Sequence, residues 1–209
     1  MKIAIINEVS AVAQNAALVS ALEGRGHTII NAGMKTPADL PELTYIHTGF
    51  QAALLLNSGR ADFIVGGCGT GEGFLISVTQ YPNIFCGHIT NDLDAWLFAQ
   101  INGGNCVSLP LLYGYGWAGD ANLKFIFDRL FSVQFGIGYP EHRRDSQKKS
   151  RTLLAAVSRI THRKFSEIVD EIDEAVIRPV LEFPGFLKIL DIGSLSDEEL
   201  KKSLKKRVA

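Results

Sequence analysis

Short apolar runs alternate with longer stretches of helical period through the first half of the chain, and this alternation constrains the fold more than any other feature. Candidate strands are residues 2–7, 28–31, 61–65, 84–89 and 105–109, and candidate helices are 11–23, 38–57, 73–80 and 92–101. Gly24, Gly26, Gly33, Gly59, Gly103 and Gly104 punctuate the joins. Strands that alternate with helices imply βαβ units. The expectation is a Rossmann-like α/β fold with three αβα layers around a five-stranded parallel sheet. Ligands of such sheets gather at the carboxyl ends of the strands. Here those ends carry Asn7-Glu8, Gly33, Cys68 to Glu72, Thr90-Asn91-Asp92 and Leu109-Pro110.

The character changes after Pro110. An aromatic–glycine loop, Tyr113 to Trp117, leads into a helical pattern over 122–131, a second glycine loop over 136–140, and a polar helix over 141–160. Three further helices are expected: 164–177, stopping before Pro179; a short one at 186–190; and a last one opened by a Ser196-Asp197-Glu198-Glu199 capping box, with lysines toward its end. The organisation expected is an α/β domain over 1–150 and a C-terminal α-helical extension of the same domain over 151–209.

The segment from Gly66 to Gly73 carries the chemistry. Glycines surround Cys68, Thr70 and Glu72 between an apolar run and a helix start. A tight turn of this kind presents backbone N–H groups to an anion. A dinucleotide-binding turn needs its glycines after the first strand, and a Walker loop needs Gly-Lys-Ser/Thr; both patterns are missing here. A thiolate or carboxylate beside N–H donors can remove a proton from carbon next to a carbonyl, while the donors hold the enediolate oxygen. Cys68 by itself also fits a small core residue.

Composition excludes several classes. A hydrophobic fraction of 46% and a formal charge of −1 argue against disorder and against a nucleic-acid surface. No apolar run approaches a membrane span. The opening residues read as a strand and not as a signal sequence. Three scattered cysteines, Cys68, Cys86 and Cys106, read as reduced thiols, so a cytoplasmic location is expected. No CxxC or HExxH spacing is present, and neither metal nor organic cofactor is expected.

Gly-Cys-Gly-Thr-Gly after the third strand resembles the ribose-5-phosphate isomerase type B and galactose-6-phosphate isomerase family over about residues 1–150. The resemblance implies a Rossmann-like fold, a homodimer or higher homo-oligomer with sites between subunits, and aldose–ketose isomerisation through an enediol. It implies that Cys68 is the family's catalytic cysteine, that Gly69, Thr70 and Gly71 form its anion-hole loop, and that Asn102 assists, from a stretch in which Asn105 also matches. Some members lack the cysteine and use a glutamate four positions later, where Glu72 stands, so the base stays open between the two. Tyr45 and His47 fall on a stretch lining the family's site.

Departures from the family sharpen the substrate. Where phosphate-using members end strand one in Asp-His, this chain has Glu8-Val9. Their ring-opening histidine falls at Ile101. Of two phosphate-gripping arginines, the first falls near Tyr139 and the second near Arg143. These losses imply an open-chain substrate with a carboxylate. The Asn7-Glu8 strand end, the aromatic–glycine loop, the Gly-Tyr-Pro segment and the helical tail resemble the branch of 4-deoxy-L-threo-5-hexosulose-uronate ketol-isomerases. The alternatives are a ribose- or galactose-phosphate isomerase and a non-catalytic sugar-binding subunit. His88, at the end of the fourth strand, reads as either a site-facing residue or, more in keeping with its kind, a satisfied structural histidine, and Tyr115 and Trp117 as either a substrate cover or interface aromatics.

Overall fold

The computed structural model describes residues 1–208. Strands β1 (Lys2–Asn7), β2 (Thr28–Asn31), β3 (Phe63–Cys68), β4 (Cys86–His88) and β5 (Cys106–Pro110) form one all-parallel sheet in the order β2-β1-β3-β5-β4. One face is covered by α2 (Tyr45–Asn57) and α3 (Glu72–Val78), the other by α1 (Asn15–Leu22), α4 (Asp92–Leu97) and α5 (Gly119–Leu130). Burial on both faces is why these strands read as continuous apolar runs and not as alternating ones.

The sheet moves several expected boundaries. β3 begins at Phe63 and runs through Gly66 and Gly67 to Cys68. Neither glycine makes a turn. A Cβ on Gly66 would sit 2.2 Å from the Phe74 ring, and one on Gly67 2.2 Å from the Leu109 carbonyl oxygen. They are glycines because helix and neighbouring strand pass too close for a side chain. The turn proper starts at Gly69. The expected helix over 11–23 opens as a 3-10 turn, Val9–Gln14, before α1. The one over 38–57 begins only at Tyr45, where Thr44 and His47 form a capping box. The one over 92–101 gives way after Leu97 to a π-helical turn, Phe98–Asn102.

The C-terminal part adds α6 (Arg144–Thr161), α7 (Phe165–Glu171), α8 (Glu174–Leu181), α9 (Phe186–Leu190) and α10 (Glu198–Val208). The helix expected over 164–177 is two helices. Asp173 restarts the second by accepting from the Ala175 N–H at 2.8 Å. Pro179 lies inside α8 and not beyond its end. Proline has no N–H, so the Ala175 carbonyl one turn back loses its helical donor, and His47 Nε2 lies 3.0 Å from that oxygen. α10 is capped by Asp197, which accepts from Leu200 N–H at 3.0 Å, and not by Ser196.

The tail shares a core with the sheet. Phe165 stacks its ring 6.1 Å from Phe50 of α2 and 6.3 Å from Tyr81. Arg60 reaches across to donate to the Leu190 and Asp191 carbonyls at 2.8 and 2.7 Å and to Ser194 Oγ at 2.6 Å. α6 is the exception: Leu153, Leu154, Val157 and Ile160 lie exposed along it, and Ser158 is its one buried residue. No helix among the described residues is long and apolar enough to cross a membrane.

Candidate active site

The chain leaves β1 for β2 on one side and returns to β3 on the other, so β1 and β3 flank a switch point, the preferred ligand position in open parallel sheets. Asn7 and Glu8 end β1 there, and Cys68 ends β3. Gly71, at φ 81°, caps α3 in the left-handed conformation. The glycine turn is held from three sides. The Gly69 carbonyl accepts from Leu112 and Tyr113 N–H at 3.0 and 2.8 Å, which roots the aromatic–glycine loop in the site. Ser108 Oγ donates to the Gly71 carbonyl at 2.5 Å. Thr70 Oγ1 accepts from Glu72 N–H at 3.3 Å and lies 4.0 Å from Cys68 Sγ.

Ser10 is a site residue the sequence did not flag. Its hydroxyl bonds the buried Glu8 carboxylate and accepts from Gly69 N–H at 3.0 Å. Gly69 N–H is therefore engaged by protein. Among the described residues the N–H groups of Thr70 and Gly71 have no acceptor, and these two stay free for an oxyanion. The available signal was the Glu8-Val9-Ser10 spacing, in which an acid before a 3-10 turn caps it; the Glu8 side chain accepts from Ser10 N–H at 3.1 Å. Asn7 is fully buried, and neither amide atom of its side chain has a partner among the described residues.

Cys68 is 7% exposed, whereas the Glu72 side chain is 57% exposed on the first turn of α3. The Tyr45 ring closes over Gly73, where a Cβ would meet its Cγ at 3.0 Å. Cys68, Thr70, Glu72, Gly69, Gly71, Glu8 and Tyr45 thus gather around the turn at the carboxyl ends of β1 and β3. His47 does not join them. Nδ1 accepts from Thr44 N–H at 2.9 Å, and Nε2 faces the carbonyl that Pro179 frees. Nδ1 closes the capping box of α2, and Nε2 ties α2 to α8.

A cleft of about 790 Å³ lies away from the turn, between α6 and the β4 edge, and is lined by Asn102, Arg143, Arg151 and Cys86 among others. The π turn above it closes with Gly103 N–H donating to the Phe98 carbonyl at 2.9 Å, and Arg151 donates to the Ile101 carbonyl at 2.7 Å. Arg151 therefore fixes the turn that presents Asn102, a role no sequence pattern announced. Arg143 is exposed and touches Ser146 Oγ at 3.3 Å. Tyr139 is also exposed and packs edge-on against Trp96 with ring centroids 4.9 Å apart. Within one protomer the sequence candidates therefore form two groups, the glycine turn and the Asn102–Arg143 cleft. Among the described residues no three His, Cys, Asp or Glu side chains converge to hold a metal.

A family model described as ribose/galactose isomerase matches residues 3–147, the sheet together with both groups. The chain belongs to the ribose/galactose isomerase family. Among solved structures, a 4-deoxy-L-threo-5-hexosulose-uronate ketol-isomerase complexed with a tartrate is 33% identical, with a TM-score of 0.93, covering 100% of this chain and 99% of that one. A ribose-5-phosphate isomerase from Vibrio parahaemolyticus is 36% identical at the same TM-score of 0.93, covering 99% of each chain. A ribose-5-phosphate isomerase B from Clostridium thermocellum, 21% identical with a TM-score of 0.64 over 78% of this chain, shares the fold. Sequence comparison with curated proteins gives no match. The two family members alike along their whole length include the helical tail, while the Clostridium enzyme is covered in full by part of this chain.

Proposed function

We propose that this family member is a cofactor-independent ketol-isomerase of an open-chain keto-uronate. One observation carries the reading: two candidate bases, Cys68 and Glu72, flank the free Thr70 and Gly71 N–H groups in a single turn at the switch point. The base takes the proton from the hydroxyl-bearing carbon. The carbonyl oxygen becomes an enediolate oxygen against the N–H pair; the hydroxyl proton then passes to that oxygen, the former hydroxyl oxygen becomes the new carbonyl, and the base returns its proton to the neighbouring carbon. No electrons leave the substrate. One well-placed donor contributes about 3–4 kcal/mol to such a transition state.

Substrate class follows from what the chain lacks. Val9 cannot hold a phosphate, and Ile101 cannot move a proton to open a sugar ring. Arg143 is a single cation for an anionic end. The exposed apolar row of α6 beside the Asn102–Arg143 cleft favours a homodimer in which one protomer's cleft faces its partner's glycine turn. The free thiols fit a cytoplasmic setting.

The test is turnover of keto-uronates against pentose and hexose phosphates, with exchange of substrate hydrogen for solvent deuterium. Cys68→Ala and Glu72→Gln separate the two bases. Wild-type turnover in the double variant would refute the mechanism. Preference for a sugar phosphate would move the substrate to that class, as in the Vibrio relative, and absence of exchange would make the chain a binding subunit.

A further inference from the structure

His88 ends β4, and β5 lies between β4 and the strand that carries the glycine turn. Its ring nevertheless reaches across. Nδ1 lies 3.4 Å from Glu72 Oε1, and Nε2 lies 3.1 Å from the Thr70 carbonyl oxygen. A Cβ on Gly71 would come within 2.6 Å of Nε2, so the residue between those two contacts has to be a glycine for the ring to fit. The same residue lines an open groove of about 300 Å³ with Asp94 and Asn102, so His88 stands between the two groups of candidate residues within one protomer.

Nε2 is hydrogen-bonded to the Thr70 carbonyl, and Nδ1 lies within ion-pair distance of the Glu72 carboxylate. Neutral imidazole carries one N–H and can serve only one of them; a ring protonated at both nitrogens serves both. The charged groups facing it are Glu72 from α3 and, across the groove, Asp94 from α4. The ring belongs to neither hydrophobic cluster of the fold. Its contacts are with the turn and with a base candidate, and none is with Cys68.

We propose that His88 is the positioning residue of the site: by holding the Glu72 carboxylate and the Thr70 carbonyl together, it aims Glu72 at the carbon-bound proton and assigns the proton transfer to Glu72 over Cys68. A glutamate on an exposed helical turn otherwise samples several rotamers, most of them pointing away from the N–H pair. The inference rests on the isomerase reading and extends it.

Two variants separate the two contacts, because an asparagine amide nitrogen falls near the place of Nδ1 and a glutamine amide nitrogen near that of Nε2. His88→Gln keeps the Thr70 contact and frees Glu72. The expected result is a roughly tenfold loss of kcat, the size of losing one preferred rotamer, with KM little changed. His88→Asn keeps the Glu72 contact and should recover part of that loss. In a Glu72→Gln background neither substitution should lower kcat further. Nitrogen-15 spectra of the wild-type ring should shift on Glu72→Gln. Equal kcat in the two His88 variants, losses that persist in the Glu72→Gln background, or a ring spectrum indifferent to Glu72→Gln would each overturn the proposal while leaving the isomerase reading intact. Wild-type protein inactive on every sugar would overturn both. Should neither His88 variant fold, as judged by melting, the ring spectrum decides.

Discussion

Phe165→Ala tests whether the tail and the isomerase sheet are one cooperative unit. Phe165 belongs to α7, yet its ring lies between Phe50 of α2 and Tyr81 after α3, and the residue is 7% exposed. An aromatic side chain buries about 150–250 Å². At about 25 cal/mol per Å² this is about 4–6 kcal/mol of transfer free energy, and measured Phe-to-Ala losses in cores are about 3–5 kcal/mol. For a chain of this size that lowers the melting temperature by about 6–20 °C. Calorimetry should show a single transition that moves as a whole. A second readout is local: burial pushes the Tyr81 hydroxyl up to about 12, and emptying the space beside it should bring its titration back toward 10. Because the raised value belongs to the folded state, wild-type stability is complete below about pH 10 and declines as pH rises through the folded value. A Phe165→Ala protein with a separate early transition for the tail, and an unmoved main transition, would refute the shared core.

Three further outcomes follow from single positions. Gly71→Ala should cut turnover more than it lowers the melting temperature, because it adds about 1–2 kcal/mol of left-handed strain and drives His88 out of place; unchanged kcat would remove the turn from the mechanism. Burial, then the N-terminal amine and Arg25, hold the His27 imidazole below its usual 6.5. The unfolded chain therefore takes up this proton first as pH falls below about 6.5, and stability present above that value is lost in acid. His27→Phe, next to the Phe131 ring, should flatten the dependence of melting temperature on pH between about 7 and 5. Cys86 and Cys106 stand in register on β4 and β5, and burial, then Cys86, push the Cys106 thiol well up. Ellman's reagent should label Cys86 before Cys106, and in Cys86→Ser the Cys106 thiol should react only on unfolding.

The strand–helix alternation and the glycine turn were legible because each rests on local signals: apolar runs of strand length and glycines at their ends. Boundaries were not, where distant neighbours decide them. Gly66 and Gly67 look like turn residues until Phe74 and the Leu109 carbonyl are seen against them. Pro179 reads as a helix stop because its penalty is local, while the compensation, His47 facing the Ala175 carbonyl, comes from 128 residues away. That contact turns His47 Nε2 toward α8 and not toward the glycine turn. Ser10 escaped notice, and His88 read as more structural than functional, for the converse reason. Each acts through contacts with the glycine turn that only the strand order brings together.

The strand order also has a consequence for assembly. β5 lies between β3 and β4 although it follows both in the chain, and the three residues of β4 pair with no other strand. As the polypeptide emerges, β1, β2 and β3 can zip together, while β4 has no edge to join until residues 106–110 arrive. His88 is delivered with β4. The turn is therefore completed only with β5, which brings Ser108, Leu112 and Tyr113 to its carbonyls and gives β4, with the His88 ring, an edge to join.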